Sequence, residues 1–180
     1  MAYSSDKLDA MQAVRDNGRH SARMFSFPDP VDEISARLVA GGVVVLAAVA
    51  FVSGWSWLVG LIAYGFIARV LSGPTLSPLG QLVTRVLRPR VPVAPRLVPG
   101  PPKRFAQGIG ALLTTSAAVL ALAFDQWTGV RVLLAGVIVA ATLESVLALC
   151  LGCKVFALLM RAGVIPASVC ERCSTFGAAR

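Results

Sequence analysis

Four cysteines are the only ones in the chain, and they form two C-x-x-C pairs: Cys150-Leu151-Gly152-Cys153 and, sixteen residues on, Cys170-Glu171-Arg172-Cys173. Four thiolates at this spacing fit a tetrahedral zinc ion, whereas two dithiols fit the exchange of electrons or sulfur. Spacing alone leaves both open. Residues three apart on a helix project about 60° from each other, so Cys150 and Cys153 can face one partner. The helix is expected to continue to Arg161; Gly163 and Pro166 then break it and let Cys170 and Cys173 fold back toward the first pair. In the zinc reading Cys150, Cys153, Cys170 and Cys173 ligate a closed structural site, with Lys154, Arg161 and Arg172 offsetting the surplus charge, and zinc is the candidate cofactor. In the redox reading the same four sulfurs are the reacting groups, passing between thiol, disulfide and persulfide.

The elements that hold these sulfurs are set by hydropathy. Of 180 residues, 56% are hydrophobic and only 14% charged, with mean hydropathy +0.74, which is not a soluble composition. The apolar residues fall in two blocks, 38–71 and 105–151, each too long for one crossing and suited to two. The expectation is an all-α membrane protein: four transmembrane helices as two hairpins, with crossings near 38–53, 57–71, 105–124 and 132–151. Residues 1–24 alternate acids and bases and read as a flexible cytoplasmic tail. His20, the single histidine, lies there and reads as solvated. No cleavable signal precedes the first apolar run. Residues 25–161 then form the membrane domain and 162–180 a cytoplasmic tail with the second cysteine pair.

Asp29 and Pro30 supply a capping oxygen and a first-turn proline, predicting a helix from Pro30 that enters the bilayer near residue 38 with Arg37 at the aqueous edge. Ser53-Gly54-Trp55-Ser56-Trp57 reads as a hairpin turn at an interface, and residues 125–131 as the second turn. Arg69 falls near the far edge of the second crossing. In the loop 72–104, Ser77-Pro78 caps an amphipathic helix over 78–88. Leu79, Leu82, Val83, Val86 and Leu87 form its apolar face. That face suits the bilayer interface, with Arg85, Arg88, Lys103 and Arg104 as headgroup contacts; packing on the bundle fits the pattern equally. Six prolines between 89 and 102 predict an extended polyproline II spacer, with an SH3-type docking role as the minor alternative.

The same loop carries Arg85, Arg88, Arg90, Arg96, Lys103 and Arg104 and no acid, while the hairpin turns carry Arg131 alone among basic residues. The positive-inside rule therefore makes the loop and both termini cytoplasmic in a multi-pass membrane protein. A net charge of +8 is accounted for by this bias and calls for no nucleic acid. Cys150 and Cys153 then sit at the cytoplasmic mouth, where lasting disulfides are rare. Glu144 is the one acid inside a crossing, near mid-depth of 132–151, so it should be protonated or paired. It shares a small-residue face with Gly136, Ala140 and Ala148. Thr114, Thr115, Ser116 or Tyr64 are its candidate partners. The readings are interhelical hydrogen bonding or a proton-linked role. It lies about 9 Å along the axis from Cys150 and on another sector.

Several segments together resemble a family of small, mainly actinobacterial membrane proteins known as a domain of unknown function. They are Phe27-Pro28-Asp29-Pro30-Val31 with Arg37, the helix at Ser77-Pro78-Leu79-Gly80, and Pro102-Lys103-Arg104-Phe105 through Gly110. Cys150-Leu151-Gly152-Cys153-Lys154 and Arg161 through Pro166 with the closing C-x-x-C complete the set. The resemblance implies four helices, a place in the bacterial inner (plasma) membrane and no established activity. The leading expectation is a membrane protein that presents cytoplasmic dithiols to a thioredoxin-like or sulfurtransferase protein. The alternative is a non-enzymatic interaction protein with a four-cysteine zinc site. A proton-linked carrier built on Glu144 is the third.

Overall fold

The computed structural model describes residues 29–170 and 173 of the chain. His20, the 1–24 tail, Arg172 and Arg180 lie outside them. The described residues are mostly helical. β1 (Val31–Asp32) leads into α1 (Glu33–Ser53), and α2 (Ser56–Ser72) follows the turn at Gly54. α3 (Pro78–Leu82) continues into a π-helical turn (Val83–Leu87) and a 3-10 turn (Arg88–Arg90). β2 (Leu97–Val98) precedes α4 (Gly100–Ala123), α5 (Trp127–Leu147) and α6 (Leu151–Arg161), and a 3-10 turn (Ala167–Val169) precedes Cys170.

Three helices are long and apolar enough to cross a membrane: α1, α4 and α5, of 21, 24 and 21 residues. The expected second crossing forms α2, which is apolar but has 17 residues. α1 packs chiefly on α5, α2 on α4, and α4 on α5. The shared core is built from small and branched aliphatic side chains: Ala47, Ala50, Ala117 and Ala121 with Val59, Val130 and Leu134. Small residues let helix backbones approach closely where apolar burial from water does not drive association. Outward, Val52, Leu112, Leu122, Val132, Val139 and Val146 are exposed, so these helices are apolar on every side, as a membrane-embedded helix is.

Helix starts differ instructively from expectation. α1 begins at Glu33, capped by Asp32, whose carboxylate accepts from the Ile34 amide at 3.3 Å. Asp29, expected to cap this helix, instead accepts from the Gly100 amide at 3.0 Å. It thus places a negative charge at the N-terminus of α4, where the helix dipole favours one. The expected spacer is also shorter. Pro101 and Pro102 occupy the first turn of α4, where a missing amide costs nothing. Leu97 and Val98, which keep their amides, pair antiparallel with Asp32 and Val31.

Asp32 ties this pairing to the 3-10 turn at Arg88–Arg90. Its carboxylate accepts from Arg88 Nε at 2.6 Å, Ser35 Oγ at 2.8 Å and the Arg96 amide at 3.2 Å. Burial works to raise its pKa, but the hydrogen bonds from Arg88, Ser35 and Ile34 and the Arg88 charge outweigh it and hold the carboxyl below its ordinary value. The helix at 78–88 begins as expected, Ser77 Oγ accepting from the Gly80 amide at 3.3 Å. Its expected apolar face divides: Leu79 packs against the core and Val83 is buried, while Leu82, Val86 and Leu87 are exposed.

Candidate functional site

The main departure from the expected chain path occurs just before the first cysteine pair. α5 was expected to carry Cys150 at its end, but it stops at Leu147, and Ala148 adopts a left-handed conformation, φ 54°. The Leu149 amide returns to the Leu143 carbonyl at 3.0 Å, and Arg37 caps the same end. Its Nε and Nη2 donate to the carbonyls of Ser145 and Val146, both at 3.1 Å. A guanidinium there satisfies orphan carbonyls and suits the negative end of the dipole. The chain then turns, and a new helix starts with Cys150 as its N-cap: Cys150 Sγ accepts from the Cys153 amide at 3.3 Å. A cysteine at a helix N-terminus is where a thiolate is favoured.

α6 packs on α4. Phe156, buried, meets Phe105 with ring centroids 5.6 Å apart. Gly152, inside the C-x-x-C, is the close approach: a Cβ there would lie 2.6 Å from the Ala106 Cα. The motif's glycine thus seats the cysteine turn against α4.

Each C-x-x-C closes on itself in the structure: Cys150 is bonded to Cys153 and Cys170 to Cys173. The Cys173 amide donates to the Cys170 carbonyl at 3.0 Å. A zinc site would require the two pairs to converge. Among the described residues, no three of His, Cys, Asp and Glu are gathered where a metal could be held.

Cys150, 8% exposed, faces a cavity of about 310 Å³ at one end of the bundle. α1, α2, α4 and α5 form its walls, and the Cys150-Leu151-Gly152 turn closes it. The lining is apolar apart from Arg69, Gln107, Glu144 and Cys150. Glu144 and Cys150 therefore share a cavity, although they were expected on separate sectors; the break at Ala148 folds the cysteine back. Gly136 and Ala140, expected to pack against another helix with Glu144, line this space too.

Glu144 is paired: Lys103 Nζ lies 2.6 Å from its Oε1, with the two side chains 11% and 15% exposed. Its expected partners are elsewhere. Thr114 donates to the Gly110 carbonyl at 2.7 Å, Tyr64 to the Leu76 carbonyl at 3.4 Å, and Thr115 and Ser116 face outward. Of the four expected headgroup residues, Lys103 spends its charge on Glu144 and Arg88 on Asp32. Arg104 donates from Nε to the Val70 carbonyl at 3.1 Å, and Arg85 is exposed.

Sequence reasoning placed Arg69 at an edge and passed over Gln107. Arg69 is 6% exposed. Its guanidinium lies 4.4 Å over the Phe66 ring and donates to Gln107 Oε1 at 3.0 Å and Ser77 Oγ at 3.2 Å. Because Arg can only donate, it fixes the Gln107 carboxamide with its oxygen toward Arg69 and leaves the NH2 as a donor for another partner. A second cavity, about 240 Å³, shares Arg69 and Gln107 and is lined also by Asp32 and Lys103. The available signal was a polar residue inside each apolar block, which marks a functional position by default.

The model of a family described as Domain of unknown function (DUF4395) matches residues 31–161. Neither a curated protein nor a solved structure matches the chain.

Proposed function

Since the chain belongs to the DUF4395 family, a domain of unknown function, we propose a role from its own geometry: a membrane protein that exchanges electrons through its C-x-x-C dithiols with a soluble, thioredoxin-like protein. One observation carries this reading. Cys150 sits at the N-terminus of α6, bonded to Cys153 and bordering a cavity. A disulfide three residues apart at a helix start is built for exchange, because the positive helix end favours the thiolate that forms on opening.

In the step, a thiolate of the soluble partner attacks one sulfur of a disulfide in this chain. The disulfide breaks and a mixed disulfide forms. The partner's second thiol then displaces that bond, so this chain gains two thiols and the partner becomes oxidised; the reverse order runs equally. We assign the exchange with the soluble protein to Cys170 and Cys173, on the segment after α6; Cys170 is buried and Cys173 partly exposed, so Cys173 is the sulfur the partner attacks.

The membrane arrangement belongs to this proposal. α2, at 17 residues, spans about 26 Å, so it joins α1, α4 and α5 as a fourth crossing in a thin stretch of bilayer. The turns at Gly54 and Asp125 adjoin one end of the bundle, for a Cβ on Gly54 would lie 4.0 Å from Trp127. Trp55 and Trp57 stack there, exposed, as suits a membrane interface. The basic loop and both cysteine pairs then face the cytoplasm of a bacterial cell, with Arg85 and Arg104 near the headgroups.

The test is thiol trapping in intact cells: acid quench, alkylation with a mass-tagged maleimide, and the Cys170→Ser variant, which removes the resolving thiol and so holds a mixed disulfide on Cys173. Expected are interconverting thiol and disulfide forms and a covalent complex with a soluble dithiol protein. Cysteines fixed in one state under oxidising and reducing conditions alike would overturn the reading.

A further inference from the structure

The cavity behind Cys150 has the wrong walls for a water-borne substrate. Val39, Val43, Phe66, Leu113 and Val137 line it. Gly136 also lines it yet is exposed on the surface of α5, so the space reaches the outer face of the helix bundle partway along that helix. From Gly136 to Glu144 is about 12 Å along the axis. An occupant can therefore enter from acyl-chain depth and reach the polar end where Arg69, Gln107, Glu144 and Cys150 meet. That end offers hydrogen-bond donors, the Gln107 NH2 and the Arg69 guanidinium, with the Phe66 ring beside them. A volume of about 310 Å³ falls in the range of small-molecule sites.

We propose that this cavity binds a lipophilic quinone, which oxidises the Cys150–Cys153 dithiol. The inference rests on the dithiol reading and names its electron acceptor. A quinone has the three properties the cavity selects: an apolar ring and tail, carbonyl oxygens that accept from Gln107 and Arg69, and the capacity to take two electrons. Cys150, which faces the cavity, is the sulfur that reacts with the ring. Its thiolate bonds to a quinone carbonyl carbon, and the oxygen takes a proton. The Cys153 thiolate then attacks Cys150 Sγ, the carbon–sulfur bond breaks, and the electron pair passes into the ring as the sulfur–sulfur bond forms. A second proton completes the quinol. Two thiols have become a disulfide, one quinone has become one quinol, and both protons come from the thiols. Glu144, which lines the cavity and pairs with Lys103, is the group assigned to relay them.

Gly136 offers a direct test, since a Cβ there meets nothing within 4 Å. The whole protein, reduced and held anaerobically in nanodiscs, is mixed with a short-chain benzoquinone. Quinone absorbance is followed while the Cys150–Cys153 state is read by mass-tagging. Expected is one quinol per disulfide closed, with KM for quinone raised about tenfold in Gly136→Leu and in Ala140→Leu. Exchange with dithiothreitol stays unchanged in both, and Val139→Leu, on the exposed surface, behaves as the unmodified protein. If the unmodified protein exchanges with dithiothreitol but does not reduce quinone, or if neither cavity-filling variant alters quinone reduction, the inference is overturned and the dithiol reading stands. If neither reagent changes the cysteines, both fail. A photoreactive quinone on the unmodified protein needs no variant: labelling of peptides carrying Gln107 or Gly136 supports the site, and labelling only elsewhere, as an acyl-chain cavity would give, overturns it.

Discussion

Lys103 and Glu144 meet at 2.6 Å across the α4–α5 interface, each at the helix end that suits its charge least. Lys103 is in the first turn of α4, where the dipole is positive, and Glu144 in the last turn of α5, where it is negative. Each therefore depends on the other. Lys103→Met alone is expected to destabilise the protein by about 3 kcal/mol, because it leaves a mostly buried carboxylate unpaired. Lys103→Met combined with Glu144→Leu should recover most of that loss. Thermal unfolding in detergent of the single and double variants checks it; additive losses would mean that the pair carries no coupling.

The second expectation concerns acid. Asp32 has a folded pKa below its ordinary value of 3.8, so its contribution is complete above that value and is lost as pH falls through the lower folded one. Asp32→Asn keeps the helix cap and removes the charge that holds Arg88. The stability difference between the unmodified protein and Asp32→Asn should be constant above about pH 5 and shrink steadily below pH 4. A difference that grows on acidification would show that the sign is wrong.

Gly152 yields a third. An added methyl would press within 2.6 Å of the Ala106 backbone, and overpacking of this kind costs about 1–3 kcal/mol. Gly152→Ala should loosen α6 from α4 and speed alkylation of Cys150 after reduction, while Gly163→Ala, where a Cβ meets no neighbour but φ is 75°, should affect the cysteine far less. Equal rates in the two variants would show that Gly152 does not seat the turn.

How legible all this was depends on the range of the interaction. The apolar blocks and the Ser77-Pro78 start were readable because hydropathy and capping are local. Which helix an aspartate caps is not local: Asp29 reaches Gly100, 71 residues away. The stop at Leu147 was hidden for a similar reason. Nothing in the apolar run 132–151 marks an end, and the arginine that takes the Ser145 and Val146 carbonyls just before the left-handed Ala148 lies more than a hundred residues earlier. Once that end was misplaced, Glu144 read as mid-depth, and its lysine partner, just past the proline spacer and taken for a headgroup contact, went unseen. The cysteine pairs themselves were plain, since their spacing is within one turn.

Topology gives a fourth. With four crossings, a fluorescent-protein fusion after Pro92 should fold and shine, and an alkaline phosphatase fusion after Ser53 should be active. If α2 does not cross, reporters at Ser53 and Pro92 will report the same side.

The most direct test is to bring the purified full-length protein to equilibrium in graded dithiothreitol buffers, count free thiols in each pair by mass-tagging, and measure zinc on the same sample. The expected result is two dithiol–disulfide couples, each opening with a two-electron dependence in which about 30 mV changes the ratio tenfold, without stoichiometric metal. One zinc per chain, with four thiols that stay protected across the whole range, would contradict it.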